Sequence, residues 1–406
     1  MKSLGPARTF IMMTVVLDAM GIGLIMPVMP SLLREIEGAS LADAAIWGGV
    51  MSMVFAVNQF LFGPLIGNLS DRFGRRPVLL LSLVVMALDY LVMAVTGSIL
   101  LLLLMRFIGG ITAATHSTAN AFMADISAPE DKAANFGLIG AAFGIGFILG
   151  PVLGGVLGEF GTRAPFYAAA ALAGGNAVFG YLVLPETVTD AMRRPFKWSR
   201  ANPFGALQMI RELTGVSRLM LLYFINQVAF FVYPAIWSYF TIARFGWSEG
   251  MIGLSLGAFG LSMALVQGVL MRPVVKRLGE MRTMYVALLF NLVAFLLMAV
   301  VSNGWIAMAL TPLTALGSMA SPAMQGVMSR ATPDDQQGAL QGAISSAAAL
   351  ATILSPLAMT WVFARFTRAP EEIYQPGAPF MVAAVLTLLC LVLAQRLRAR
   401  TLQPQA

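Results

Sequence analysis

The sequence predicts an all-α membrane protein with twelve transmembrane helices, arranged as two pseudo-symmetric six-helix bundles with both termini in the cytoplasm. Three observations lead to this fold class: the composition, the apolar runs and the distribution of basic residues. Of the 406 residues, 58% are hydrophobic and only 11% are charged, and the mean hydropathy is +0.80. A soluble protein of this length could not cover its surface with so few charged side chains, so the composition indicates a membrane protein.

Twelve runs have the length that a membrane-spanning helix needs, which is about 20 mostly apolar residues. Span 1 is too long for a secretory signal and lacks a clear small-residue cleavage site after it, so we interpret it as a transmembrane helix. The single cysteine, Cys390, excludes an intrachain disulfide, and no cysteine–histidine cluster suggests a metal site. In chain order, spans 1 to 12 are predicted at 9–30, 46–68, 77–97, 99–123, 134–158, 164–184, 219–241, 250–271, 283–302, 304–328, 338–364 and 378–395.

The basic residues predict the orientation of these spans. With twelve spans, both termini lie on one side of the membrane, and most of the 26 Lys and Arg residues fall in loops on that side. The positive-inside rule therefore places both termini in the cytoplasm. The formal net charge of +7 reflects membrane topology, and we expect a lipid bilayer but no nucleic acid among the partners.

The longest hydrophilic connection falls near the middle of the chain. It divides the sequence into a predicted N-terminal bundle, 1–184, a cytoplasmic linker, 185–218, and a C-terminal bundle, 219–406. This linker is rich in proline and basic residues, which suits a segment that lies on anionic headgroups.

The two halves also resemble each other. The loop after span 2 reads GNLSDRFGRRP from Gly67, and the loop after span 8 reads GVLMRPVVKRLGEMR from Gly268. Span 5 contains Gly150-Pro151 and span 11 contains Ser355-Pro356. Such internal repeats are typical of transporters, in which the substrate site lies near the midplane between the halves.

Three motifs in chain order connect the sequence to a known family. The loop after span 2 resembles motif A of the major facilitator superfamily, and LLLLMRFIGGITAA in span 4 resembles its motif B around Arg106 and Gly110. Span 5 resembles motif C, which is seen in antiporters. The motif A positions are Gly67, Asp71, Arg72, Gly74, Arg75 and Arg76, and the motif C positions are Gly137, Gly146, Gly150, Pro151, Gly154 and Gly155.

The resemblance covers the whole chain. Within the superfamily, LDAMGIGLIMPVMPSLLRE, ALDYLVMA and RFGW are most similar to the tetracycline-resistance branch of drug:proton antiporters. This implies an exporter in the cell inner membrane that works by alternating access and is not an enzyme. No glycine-rich nucleotide loop is evident, so we expect no cofactor and a proton gradient as the energy source.

Each motif also has a physical interpretation. In the motif A loop, Gly67 would let two helices approach closely, and the arginines could neutralise carboxylates at neighbouring helix ends. Asp125, at the end of span 4, is the predicted partner of Arg75. Together they would form a cytoplasmic latch, although the arginines could merely mark the cytoplasmic face. In span 5, glycines at small-residue spacing predict tight helix packing, and Pro151 permits a kink.

Three charged residues within spans are the candidates for proton coupling: Asp18, Asp89 and Arg106. An acid in the bilayer interior costs at least ~2.5–3.5 kcal/mol, so it is a functional hypothesis by default. Asp89 and Arg106 lie at one depth on either side of a short turn near Gly97, so we predict an ion pair, which could be purely structural. Asp18 has no basic partner in its own span and is the predicted proton carrier, with a structural anchor as the alternative.

Polar and aromatic residues within the spans are the candidates for substrate binding. No ionisable acid, base or histidine interrupts the second-half spans, which suggests that the first half handles protons while the second half binds substrate. His116 could instead simply bond to a helix backbone, and each amide could serve as an interhelical contact. The candidates are Asn58, Gln59, His116, Gln227, Phe231, Tyr233, Trp237, Asn291, Gln325 and Gln341.

One departure limits the resemblance to tetracycline exporters. That branch has an acid in span 9 where this sequence has Asn291. We therefore expect a monomeric exporter of hydrophobic drugs or related metabolites, with tetracycline as one candidate substrate. An importer or uniporter on the same fold is the alternative, although the span 5 glycines favour an antiporter. A membrane enzyme or lipid scramblase is disfavoured, because no phosphate- or metal-binding cluster is evident.

Overall fold

Helices make up the regular structure of this protein. The computed structural model describes residues 5–38, 40–188, 193, 202, 216–368 and 374–401. In the first half, the helices are Gly5–Ile25, Met29–Glu37, Leu41–Phe73, Arg75–Val95, Ile99–Thr112, Thr115–Ile126, Lys132–Gly158 and Ala164–Val183. In the second half, they are Ser217–Phe230, Val232–Phe245, Glu249–Leu265, Met271–Leu278, Glu280–Val300, Gly304–Ala309, Thr311–Leu316, Ala320–Arg330, Gln337–Arg365 and Ala378–Thr401.

The apolar helices agree with the predicted spans, except that span 1 ends at Ile25, before its predicted end at 30, and a short helix, Met29–Glu37, follows. Among the described residues, 11 helical segments are long and apolar enough to cross a membrane. One of them, Glu249–Val300, contains both span 8 and span 9. Gly279 separates these two spans, because its φ of 75° lies in the left-handed region and ends the preceding helix. The predicted all-α membrane protein is confirmed.

Prolines explain where two spans divide into shorter helices. Span 7 is interrupted at Phe231, three residues before Pro234, and span 10 is interrupted at Leu310, two residues before Pro312. A proline ring lacks an N–H and clashes with the carbonyl four residues earlier, so it favours the first turn of a new helix. Pro151 and Pro356 instead lie inside continuous helices.

The chain forms two compact units that interleave along the sequence. The first contains Met1–Gly38, Val54–Pro203 and Trp247–Gly257, and the second contains Ala39–Met53, Phe204–Gly246 and Ala258–Ala406. The predicted two-bundle arrangement, its boundaries and the location of the termini remain predictions. The predicted linker, 185–218, lies largely outside the described residues.

Hydrogen bonds join Trp247–Gly257 to the rest of the first unit. The Ser31 hydroxyl donates to Glu249 Oε1 over 2.5 Å, and the Gly250 amide donates to Glu159 Oε1 over 2.8 Å. The Ser248 hydroxyl and the Gly250 amide lower the pKa of Glu159, because hydrogen bonds to a carboxylate favour its charged form. The start of span 8 therefore belongs structurally to the first unit.

Each unit has its own apolar core. Phe10, Leu79, Leu83 and Phe122 are fully buried in the first unit. The core of the second unit is rich in methionine, a flexible side chain that fills irregular gaps between helices. Because lipid tails are as apolar as these side chains, the close packing itself must hold the helices together.

Candidate functional site

Spans 3 and 4 form the hairpin that places an ion pair inside the membrane. Asp89 is buried at 2% exposure, and its Oδ2 meets Arg106 Nη2 across the hairpin. The Arg106 guanidinium also lies over the Phe55 ring, 5.2 Å from its centroid. The structure thus brings together the two residues that the hairpin places at one depth.

Span 4 breaks in its middle, which the sequence analysis did not predict. One helix ends at Thr112 and the next begins at Thr115. Gly110 precedes the break, where a Cβ would lie 2.5 Å from the Phe55 carbonyl oxygen, and the Thr112 hydroxyl bonds back to the Ile108 carbonyl over 3.2 Å. The break opens a new helix N-terminus within the span, with backbone N–H groups that have no partner in their own helix.

Asp18 lies at this break. Asp18 is buried, at 8% exposure, and its carboxyl group forms a hydrogen bond with the Thr115 side chain. Tyr90 also interacts electrostatically with Asp18, and its hydroxyl lies 3.0 Å from the Cβ position of Gly21, one turn farther along span 1. Asp89 therefore meets a guanidinium, whereas Asp18 meets hydroxyl groups.

The other first-half candidates are not gathered around Asp18. Asn58 is buried and donates to the Val54 carbonyl of its own helix over 2.8 Å, while Gln59 is exposed. His116 is exposed, and its ring packs edge-on against Phe143 with centroids 5.5 Å apart. Asn58 lies near the ion pair, because its Cβ is 2.8 Å from the Cβ position of Gly110. The preceding Gly109 has its Cβ position 3.4 Å from Asp89 Oδ2.

The motif A loop forms a charge network in the first unit. Arg75 Nη1 lies 2.5 Å from Asp71 Oδ1, and Arg75 Nε donates to Asp125 Oδ2 over 3.2 Å. Glu186, which was not predicted, accepts from the Arg75 amide over 2.9 Å and from the Arg76 amide over 3.2 Å. Glu186 follows a proline at the end of span 6, so its position in the fold could not be read from its sequence neighbours.

Other motif A residues behave differently from the prediction. A Cβ at Gly67 would meet no described heavy atom within 4 Å, so the close helix approach predicted there is wrong. Arg72 lies over the Phe73 ring, and Arg76 donates to the Tyr181 carbonyl over 2.6 Å, so Arg75 is the arginine that bridges two carboxylates. Gly74 has a φ of 112°, and a Cβ there would collide with the Glu186 carboxylate.

Glycines of span 5 pack on span 1. Gly146, Gly150 and Gly154 are four residues apart and therefore lie on one helix face. A Cβ at Gly150 would lie 2.5 Å from the Met20 carbonyl oxygen, and Cβ atoms at Gly146 and Gly154 would collide with the Val16 and Leu24 carbonyls.

Two other glycines of motif C have different surroundings. Gly155 approaches Gly253 on the segment of span 8 that belongs to the first unit, with 3.0 Å between its Cβ position and the Gly253 Cα. Gly137 meets no described atom within 4 Å, so the prediction of close packing is wrong there.

A polar seam runs between spans 7 and 10 in the second unit. The Ser321 hydroxyl donates to Gln227 Oε1 over 2.6 Å and accepts from Asn226 Nδ2 over 3.2 Å. About one turn away, Gln325 Nε2 lies 3.5 Å from the Tyr223 hydroxyl. The seam thus joins two predicted residues, Gln227 and Gln325, to polar residues that the sequence analysis did not assign to the site.

An aromatic cluster lies farther along span 7. Tyr233 and Trp237 are buried, and their ring centroids are 6.1 Å apart. Tyr233 also contacts Phe259, Phe295 and Phe380, with centroid distances of 5.5 to 5.7 Å. These rings pack against one another in the second unit. Tyr233 and Trp237 in this cluster remain candidates for contact with an apolar substrate.

The remaining second-half candidates are dispersed. Asn291 is buried and donates to the Gly317 carbonyl over 3.2 Å, so it joins span 9 to span 10. Phe231 occupies the break in span 7 and is partly buried, whereas Gln341 is exposed. The Phe231 amide donates to the Gln227 carbonyl over 3.0 Å, so Phe231 follows the polar seam by one helical turn.

Comparison with known proteins identifies the family. A family model described as Major Facilitator Superfamily matches residues 11–216 and 219–405, which is nearly the whole chain.

The chain belongs to the Major Facilitator Superfamily.

Relatives of this Major Facilitator Superfamily chain include the Escherichia coli tetracycline resistance protein, class C, which is 41% identical over 96% of each chain. The crystal structure of the human organic anion transporter MFSD10 matches with a TM-score of 0.68 and 26% identity, over 97% of this chain and 100% of that one. The nucleoside transporter NupG, as its D323A mutant, matches with a TM-score of 0.80 over 96% and 99% of the two chains. Its identity of 13% supports the shared fold alone. The chain is therefore a multi-pass membrane transporter and not an enzyme.

Proposed function

We propose that this protein is a monomeric, proton-coupled antiporter that exports hydrophobic drugs or related metabolites across the cytoplasmic membrane by alternating access. Tetracycline is the first substrate to test, since the curated relatives include a tetracycline resistance protein with 41% identity. The proton gradient is the energy source, and no cofactor takes part.

The observation that carries this proposal is the different surroundings of the two acids inside the spans. Asp89 is held by Arg106, and removing that partner's charge would leave a buried carboxylate uncompensated. Asp18 is bonded to a neutral hydroxyl, that of Thr115. A carboxyl group with neutral hydrogen-bonding partners can gain and lose a proton without breaking an ion pair, so Asp18 is the better proton carrier.

Competition for this carboxyl group gives antiport. When Asp18 is ionised, it attracts a proton or a cationic or polar part of a substrate, because an unpaired charge in an apolar environment is costly. Binding of one therefore favours release of the other. The N-terminus of the helix that begins at Thr115 also favours an anion at this point, through the helix dipole.

The second unit has polar and aromatic groups of the kind that bind drug-like molecules. The seam of Gln227, Ser321 and Gln325 offers hydrogen-bond donors and acceptors, and Tyr233 and Trp237 offer aromatic area. A drug-like molecule with an apolar body and several polar groups matches this combination.

The test is transport in liposomes by the wild type and by Asp18→Asn, which imitates the protonated acid permanently. Counterflow, in which labelled substrate exchanges against unlabelled substrate, should persist in the variant. Uptake driven by a pH gradient should vanish, because the variant cannot carry a proton.

Asp334→Asn is the matched control, since it makes the same substitution at an exposed carboxylate in a short 3-10 turn outside the predicted spans. If Asp18→Asn still concentrates substrate against its gradient, the coupling role moves to Asp89. If the wild type shows no response to a pH gradient with any drug in a susceptibility panel, proton-coupled drug export is itself rejected.

A further inference from the structure

The second unit contains an ion pair between the start of span 9 and the end of span 10. Arg330 Nη2 lies 2.5 Å from Glu280 Oε2. The Glu280 side chain is 17% exposed, and it lies directly over Gly326, where a Cβ would be 2.6 Å from its Cδ. Gly326 therefore provides the space in which the carboxylate reaches Arg330.

This pair repeats the first-half latch with its charges exchanged. We call Gly74, Arg75 and Asp125 the first-half corner. We call their counterparts, each 205 residues later, the second-half corner: Gly279, Glu280 and Arg330. The two glycines have nearly the same backbone, with φ and ψ of 112° and 160° at Gly74 and of 75° and 161° at Gly279. The first-half ion pair has the cation on the third helix of its half, whereas the second-half pair has the anion there.

The segments that follow Asp125 and Arg330 in the chain are held by similar hydrogen bonds. Asn135 donates to the Ser127 hydroxyl over 2.7 Å, and the Ser329 hydroxyl donates to Gln337 over 2.9 Å. Each hydrogen bond joins residues eight positions apart and encloses a short 3-10 turn. The corners therefore share one backbone arrangement. They differ in the placement of their charges and in exposure, since the Arg75 side chain is 13% exposed and the Arg330 side chain is 68% exposed.

Helix dipoles make the two corners unequal. Glu280 is the first residue of its helix and Arg330 the last of its helix, so each charge is stabilised by the helix end that carries it. Arg75 and Asp125 occupy the opposite ends for their charges, which is unfavourable. The first-half corner accordingly needs further partners: Glu186 caps the amides of Arg75 and Arg76, and the Thr187 hydroxyl donates to Asp125 over 3.1 Å.

We propose that the second-half corner stays closed throughout the transport cycle, whereas the first-half corner is the one that opens. The first-half ion pair works against two helix dipoles and depends on partners from the segment after span 6, so it can be released. The second-half pair works with both dipoles. This inference rests on the proposed function, and the first of its two tests requires a transported substrate.

The transport test fixes each corner covalently. In a Cys390→Ser background, Glu280→Cys with Arg330→Cys is bridged by a bis-maleimide, and Arg75→Cys with Asp125→Cys is bridged in the same way. Each bridged protein is compared with its own unbridged form in pH-gradient-driven uptake. Bridging the second-half corner should change uptake by less than about twofold. Because Arg75→Cys with Asp125→Cys removes the latch itself, its unbridged form should already transport about tenfold less than the wild type, and bridging should abolish the remaining uptake. Loss of uptake on bridging 280 and 330 would overturn the proposal.

The second test needs no transport. Glu280→Arg with Arg330→Asp gives the second-half corner the polarity of the first, and thermal unfolding in detergent reports its stability. The melting temperature should fall even though an ion pair is retained, because both charges now oppose the dipoles. Arg282→Gln is the control for a changed charge on the same helix turn. A melting temperature equal to that of the wild type would refute the proposed inequality, whether or not a substrate has been found.

Discussion

Replacing Arg106 by Gln should destabilise the folded protein strongly, because it leaves the Asp89 carboxylate buried without its guanidinium. The side chains of Asp89 and Arg106 are 3% and 13% exposed, so water can replace little of the lost interaction. Removal of one partner from a buried ion pair typically costs about 3–5 kcal/mol. We expect a penalty of this size near neutral pH.

The penalty should depend on pH in a defined direction. The abandoned carboxylate can avoid its charge by taking up a proton, and for an aspartic acid with the ordinary pKa of about 3.9 this costs about 4 kcal/mol at pH 7. That cost falls by about 1.4 kcal/mol for each unit by which the pH is lowered. The Arg106→Gln protein should therefore regain stability relative to the wild type as the medium is acidified.

The assay is the thermal unfolding of purified protein in detergent at about pH 7.5 and about pH 5.5. Asp89→Asn combined with Arg106→Gln should be more stable than Arg106→Gln alone, because no charge is left buried. Arg34→Gln removes an exposed positive charge and serves as the control. A penalty for Arg106→Gln that is independent of pH, or a double variant that loses the sum of the two single losses, would refute the argument from burial.

Three further outcomes test other parts of the structure. Arg75→Ala should lower transport about tenfold at an unchanged amount of protein in the membrane, because the bridge between Asp71 and Asp125 is lost; turnover equal to that of the wild type would reject the latch. Asn291→Asp should change tetracycline resistance or the pH profile of export, and an absence of both effects would leave Asn291 as a contact to the Gly317 carbonyl. Gly150→Leu should cost about 1–3 kcal/mol or more of stability, because it forces span 5 away from span 1. Gly144→Leu, which enters open space, should cost much less, and equal melting temperatures for the two would contradict the packing.

The sequence predicted the features that depend on local composition and spacing. The spans follow from long apolar runs, since any helix that crosses a bilayer needs about 20 such residues. The pairing of Asp89 with Arg106 follows from equal distances to one tight turn. The packing of Gly146, Gly150 and Gly154 follows from their four-residue spacing, which places them on one helix face.

Other features depend on contacts between residues far apart in the chain, and only the tertiary structure decided them. Glu186 reaches Arg75 across 111 residues, and no local pattern marks that approach. Gly67 belongs to the same motif as Gly74, yet only Gly74 has a positive φ and a neighbour that excludes a side chain.

The surroundings of Asp18 show the division most clearly. By itself, the sequence determined that an acid lies within an apolar span, because hydropathy and residue type are local properties. Only the tertiary structure placed Thr115 and Tyr90 beside it, since Thr115 follows a break in span 4 and Tyr90 belongs to span 3. That break arises where Gly110 packs against the Phe55 carbonyl of span 2, and the resulting helix end faces Asp18 only because spans 1 and 4 belong to one folded unit.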